Sequence, residues 1–171
     1  MRISDAVMAL PSLLLTLMLV TLTEPNLINI ILAISFSRWP SITRLVRAQV
    51  LSVREHEFVT AARSIGVPAR LLMTRHLLPN VTAPIIVSAS FGVASAILAE
   101  ASLSFLGLGV RPPTPTWGEM LNSAQSISVL GGMPWFWIPP GLMVAICVLS
   151  INFVGDALRD AFDPRMRVEE K

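Results

Sequence analysis

The sequence predicts an all-α membrane protein, a polytopic bundle of about four transmembrane helices with one cytoplasmic loop of short helices. Three observations predict it. Hydrophobic residues fill 53% of the 171 positions and charged residues only 14%, against about 25% charged in soluble domains, whose surfaces face water. The charges also cluster, leaving none over 6–23, 77–99 and 120–155, and each gap can hold a span of the ~20 apolar residues that a hydrocarbon core requires. Finally, seven arginines fall between Arg38 and Arg75 against two acids, Glu55 and Glu57. Basic loops stay on the cytoplasmic side, so this stretch lies inside. The net charge of +2 is small and does not suggest a nucleic-acid partner.

The first span covers 5–23, and Pro11 near its start should kink it. Its apolar run follows Met1-Arg2 without a small-residue cleavage site, so it reads as a span and not as a secretory signal. A short external turn over 23–26 leads into the second span, 27–46, which is less regular because Arg38 and Trp39-Pro40 interrupt it. The helix is expected to continue through them, kinked, with Arg44 and Arg47 emerging at the inner surface. Arg38 then lies within the membrane depth, where a bare charge is costly; it faces the bundle interior or snorkels.

The third span, 79–103, is rich in Ala, Ser and Gly between Ser88 and Ala96. Small residues let helix backbones approach closely in lipid, so this helix should be central. Glu100 near its outer end is either interfacial or lines a polar path. The external loop, 104–137, holds three prolines from Pro112 to Pro115, a stiff extended segment. Trp117, Trp135 and Trp137 are spaced as an interfacial belt, and 119–127 can form a short surface helix. Gly107 and Gly109 lack both a third glycine and a preceding strand, so they do not make a dinucleotide site.

The last span is 138–155, with Pro139-Pro140 in its first turn, where proline is tolerated. Asp156 and Arg159 follow, three apart and able to pair on one helix face. The tail from Asp163 is polar and returns to the cytoplasm. Cys147 lies in an apolar span and reads as a small buried hydrophobe.

Between the second and third spans, 51–78 forms the inner loop. A helix from Glu57 should end at Gly66, and a second should begin with Pro68 and be closed by Pro79. Two short helices at an angle make an exposed knob. The plainer reading is a solvated basic loop. The spacing of Ala61-Ala62, Gly66 and Leu78-Pro79 resembles the EAA loop of ABC-importer permeases, with His76 at that loop's Ile-like place and Thr60 where it carries Glu. The stretches 103–109, 112–118, 155–160 and 163–165 are similar to the C-type permease subunit of dipeptide, oligopeptide and nickel importers. The resemblance covers essentially the whole chain and implies the C-terminal part of a type I ABC permease fold. Relatives of that kind have six spans, so the chain is expected to be truncated at its N-terminus, either a fragment or one begun at an internal Met.

What the resemblance implies is a permease subunit of an ATP-driven importer in a bacterial or archaeal plasma (inner) membrane, multi-pass, with its C-terminus in the cytoplasm. It would form part of a path for peptides or a related small solute. Its implied partners are a second, homologous permease subunit, two cytoplasmic ATPases and an external substrate-binding protein. It would bind no cofactor and catalyse no reaction, ATP being used by the partner subunits, and the sequence has no G-x-x-x-x-G-K-[ST] phosphate loop. ATPase docking would fall to Glu57, Thr60, Ala61, Ala62, Arg63, Gly66, Arg70, Arg75, His76 and Pro79. Glu100, Asp156 and Arg159 would serve the pathway or its gating. The rival readings are a secondary transporter or channel, which usually has an acid deep in the membrane, and a membrane enzyme, which needs a nucleophile–base or metal cluster. The two histidines, His56 and His76, both fall in the knob with no cysteine near.

Overall fold

The computed structural model describes residues 2–24 and 26–162, and among them all regular structure is helical. The first apolar run forms two helices, α1 (Arg2–Met8) and α2 (Ser12–Thr21), which meet at 87°. The expected kink is thus a break. Pro11 has no N–H to donate and disfavours helical geometry at Leu10, so α1 stops at Met8 and a new helix starts at Ser12. Outside α2, Asp5 accepts a hydrogen bond from Arg44 Nη2 at 2.8 Å. This pair ties α1 to the next helix. Inside, Thr16 Oγ1 and Ser37 Oγ lie 2.8 Å apart in a buried hydrogen bond.

That next helix, α3 (Leu27–Arg54), is capped by Asn26, whose side chain accepts the Asn29 N–H at 2.9 Å. Asn29 in turn donates to the Glu24 carbonyl across the turn; Pro25 lies outside the described residues. α3 passes Pro40 without ending, as the sequence suggests.

The inner loop contains α4 (Glu57–Ser64), α5 (Ala69–Leu71) and a π-helical turn (Leu72–Leu77) that runs directly into α6 (Leu78–Phe105). The expectation that Pro79 closes the second short helix is therefore corrected: Ala69–Phe105 is one helical run of 37 residues. Proline in a regular helix clashes with the carbonyl four residues back. The wider i→i+5 turn just before Pro79 moves those carbonyls aside. Asn80 Nδ2 then donates to the His76 carbonyl at 2.7 Å, and Thr82 Oγ1 to the Leu78 carbonyl at 2.7 Å.

Outside, the expected 119–127 helix is two helices, α7 (Trp117–Ser123) and α8 (Ile127–Gly132), separated by a turn. Thr116 Oγ1 accepts the Glu119 N–H at 3.1 Å, which fixes the start of α7 at a Thr-x-x-Glu capping sequence. The last helix, α9 (Pro134–Phe162), begins four residues before the expected 138. Proline suits its first position, where an N–H would be unpaired anyway. Pro139-Pro140 consequently fall in the second turn and not in the first. The polar tail from Asp163 lies outside the described residues.

α6 is the central helix, packed against α3, α7 and most extensively α9, as its small residues predict. Gly155 of α9 sits at that crossing, where a Cβ would stand 3.3 Å from the Phe91 ring. Cys147 is half-buried rather than fully enclosed. By length and composition two helices can cross a bilayer, Ala69–Phe105 and Pro134–Phe162; the bent pair α1–α2 makes a third if it counts as one span. The predicted span 27–46 is helical and long enough, about 42 Å for the whole of α3 at ~1.5 Å per residue. It falls outside that set because Asn29, Arg38 and several serines dilute its apolar run. Only 11% of the apolar window in either crossing helix is buried by the chain itself, so the remainder is surface for lipid or for further helices.

The outer end of α6 is held by close packing. The helix stops in a Schellman turn: the Leu108 N–H reaches the Leu103 carbonyl, the Gly107 N–H reaches that of Ser104, and Gly107 has φ +79°. The loop folds back so that Gly118 rests on Ala101 and Ser104, where a Cβ would lie 2.6 Å from Ser104 Cβ and 2.8 Å from Ala101 Cα. Gly118→Ala should therefore cost about 1–3 kcal/mol through overpacking, read as a lower unfolding temperature in detergent. Gly131→Ala, with nothing within 4 Å of the added carbon, should leave it unchanged.

Candidate functional site

The knob is built on its own small core. Val59 and Ala62 of α4, 0% and 6% exposed, pack with Val53 at the end of α3 and with Leu72, Leu77 and Val81 beyond the turn. α4 ends in a second Schellman turn: the Val67 N–H bonds to the Ala62 carbonyl at 3.1 Å and the Gly66 N–H to that of Arg63 at 3.0 Å. Gly66 takes φ +79°, and a Cβ at this position would have nothing within 4 Å. Its requirement is for backbone geometry and not for space. Val67 completes the motif by packing against the same core.

This arrangement sorts the sequence-predicted docking residues. Glu57, Thr60, Ala61, Arg63, Gly66, Arg70, Arg75 and Pro79 are exposed, and His76 is half-buried. Ala62, in contrast, is buried in the knob's own core. Thr60 offers no carboxylate, and its Oγ1 lies 3.5 Å from the His56 carbonyl of its own helix. The sequence reading misses Ile65, which is 81% exposed at the tip, and the exposed Phe58 and Met73. A Schellman end needs one apolar residue beyond it, here Val67. Ile65 is a second, with nothing of this chain to cover it, and that surplus is the signal that was available.

A groove runs between α3 and α6. Its outer part encloses about 720 Å³, lined by apolar residues such as Ile31, Ile34, Val93 and Trp117, and by Glu100. Ser104 Oγ donates to Glu100 Oε1 at 2.7 Å. Ile34, Ser35, Val93 and Ala96 also line the inner part, about 660 Å³, which contains Arg38 and several serines. Asp156 and Arg159, expected to pair on one helix face, form no ion pair among the described residues. Both are exposed near the end of α9, and neither lines the groove. Such a pair gains too little in water to hold its geometry.

A helical bundle with at least two lengths able to cross a bilayer, a groove between two of its helices and a helical knob on its central helix has the architecture of a transporter's membrane subunit. The chain belongs to the family described as binding-protein-dependent transport system inner membrane components, which it matches over residues 1–168. It is 47% identical over 165 residues to a protein of Brucella ovis named as a peptide permease, covering 96% of this chain and 55% of that one. It is 43% identical over 166 residues to the dipeptide transport system permease protein of Alkalihalophilus pseudofirmus, covering 97% and 54%. A Brucella suis protein named for a peptide transport system matches at 43% over 169 residues, with 99% and 56% covered. The chain spans about half the length of these curated relatives. Its two or three apolar helices fit a multi-pass form of the inner-membrane component that the family description names.

The glycine at the knob's tip yields a direct test. Gly66→Ala should destabilise by about 1–2 kcal/mol, the cost of a left-handed backbone for a residue with a Cβ. Gly66→Asn, which tolerates that conformation, should recover most of the loss. Hydrogen exchange at the end of α4 reads both, and equal losses would mean that size and not backbone geometry is at issue.

Proposed function

We propose that the chain is a permease subunit of an ATP-driven importer and couples to cytoplasmic ATPases through the loop 57–80. The observation that carries this reading is the continuity of Ala69–Phe105. An exposed knob, apolar at Ile65 and studded with Arg63, Arg70 and Arg75, stands on a helix that runs about 55 Å at ~1.5 Å per residue to the packed outer loop. Within Ala69–Phe105 a force meets no irregular chain to dissipate in, and the knob core of Val59, Ala62, Leu72, Leu77 and Val81 couples α4 to that run across the Gly66 turn. Two ATPases closing on ATP would shift the knob as a rigid body and tilt α6 with its neighbours. Ile65 would enter an apolar pocket on the ATPase, and the surrounding arginines would pair with its acids.

The arginine-rich loop supports a cytoplasmic knob and, with it, a cytoplasmic C-terminus. Uncovered apolar surface on α6 and α9 suits a second, homologous permease subunit as well as lipid. An external substrate-binding protein would deliver the solute. This chain would bind no cofactor, since ATP is used by the partner subunits. The relatives' names favour di- or oligopeptides as the solute. Glu100 lines the groove and is assigned to the pathway; Asp156 and Arg159 lie outside the groove and carry no role in it.

Pull-down of the membrane-expressed chain against the ATPases and second permease encoded with it tests the reading. The unsubstituted chain should retain the ATPases, and Ile65→Asp should weaken retention by about thirtyfold or more, the scale of a lost interface anchor. Gly66→Leu should also weaken it, while Gly131→Ala should not. Retention indifferent to Ile65 and Gly66, or uptake driven by an ion gradient without ATPases, would contradict it.

A further inference from the structure

We infer that the α3–α6 groove is a binding site for a short peptide with both ends free, its ammonium group held by Glu100 and its carboxylate by Arg38. The inference rests on the permease reading and adds the residues that would recognise the solute. Glu100 is the one charged residue lining the outer cavity and Arg38 the one lining the inner cavity among the described residues. Opposite charges therefore stand on either side of the stretch that the two cavities share, Ile34, Ser35, Val93 and Ala96.

Neither charge is neutralised by the chain. The two ion pairs among the described residues are Asp5–Arg44 and Arg54–Glu55, so Glu100 and Arg38 are bonded neither to each other nor to another charge. Glu100 accepts one hydrogen bond, from Ser104, at Oε1, which leaves its second oxygen for a ligand. Arg38 is half-buried and also borders a small cavity beside α2. Uncompensated charges at membrane depth are costly and are kept where they meet a solute or a path.

The spacing suits a short peptide. The outer cavity is lined on α3 from Leu27 to Ser35, so Arg38 stands three to eleven positions further along the helix, about 5–16 Å at ~1.5 Å per residue. An extended peptide advances at most ~3.3–3.6 Å per residue, so a few residues cover that range. Serines 35, 41 and 88 offer hydroxyls to the peptide backbone along the inner part. The apolar outer wall accepts varied side chains. A free amine at the Glu100 end and a free carboxylate at the Arg38 end would be selected, and blocked ends rejected.

The test is binding of alanylalanine, its N-acetyl form and its C-terminal amide to the purified, assembled importer containing this chain. Blocking either end should weaken binding to the unsubstituted importer by about tenfold to a hundredfold, the scale of a lost charge-assisted hydrogen bond. In Glu100→Gln the free and acetylated peptides should bind alike while the amide stays weaker; Arg38→Gln should show the reverse. Substitutions that weaken all three ligands equally, or none, would overturn the assignment, because a purely structural role cannot tell the two ends apart. A groove sealed by another helix would also overturn it. In that case Val93→Cys, in a Cys147→Ser background, would resist a small water-soluble thiol reagent that labels Ile127→Cys. Absence of ATP-driven alanylalanine uptake by an importer that does assemble with its ATPases would remove this inference alone, whereas failure to assemble would remove the permease reading beneath it.

Discussion

A helix in hydrocarbon cannot leave its backbone carbonyls unpaired, and Ala69–Phe105 has to meet that demand while carrying Pro79 and Pro84. The π turn at Leu72–Leu77 widens the helix just ahead of Pro79 and lets it continue. Everything else is arranged around the helix so preserved. α9 and α3 pack on its length, the knob core closes around its first turns at Leu72, Leu77 and Val81, and the outer loop is bound to its last turns. Were the helix to end at Pro79, α3, whose Val53 lies in the knob core, would be the one remaining helix among the described residues joining the knob to the bundle.

The same glycine-closed motif ends two of the helices. At the outer end Gly107 closes a Schellman turn on α6, and the side chains of Asn122 and Gln125 both donate to the freed Phe105 carbonyl. At the inner end Gly66 closes the same motif on α4. In each, the residue after the glycine, Leu108 or Val67, packs into the local core. The glycines at the outer loop work differently. Gly109 and Gly118 are required by close approach, since a side-chain carbon on Gly109 would overlap Ser104. The outer loop is thus clamped on α6 by contact, and the knob is shaped by backbone conformation.

Much of this is legible in the sequence. Charge gaps locate the apolar helices, the arginine cluster locates the knob, and Ala61-Ala62 with Gly66 locate the end of α4. The departures have a common cause. Proline reads as a stop at Pro79 and as a kink at Pro11, yet α6 carries Pro79 onward and the chain breaks at Pro11. What separates them is the neighbouring backbone: a π turn before Pro79, an 87° turn available at Leu10, and neither is encoded by proline itself. Facing is the other gap. Ala61 and Ala62 look alike in sequence, but one helical step of ~100° turns Ala62 into the core and leaves Ala61 at the surface. Sequence alone lets Arg38 face inward or snorkel; that it shares a groove with Glu100 depends on the register of α3 against α6, which no single helix contains.

The central claim is that the exposed face of the knob meets an ATPase. Single cysteines at Ala61, Ile65 and, as the inward-facing control, Ala62, each in a Cys147→Ser background, can be treated with a short bifunctional thiol reagent in membranes that contain the whole importer. The account predicts ATPase adducts from positions 61 and 65 and none from 62. Adducts from Ala62 alone, or none from the knob while a cysteine at Phe162 at the end of α9 cross-links, would contradict it.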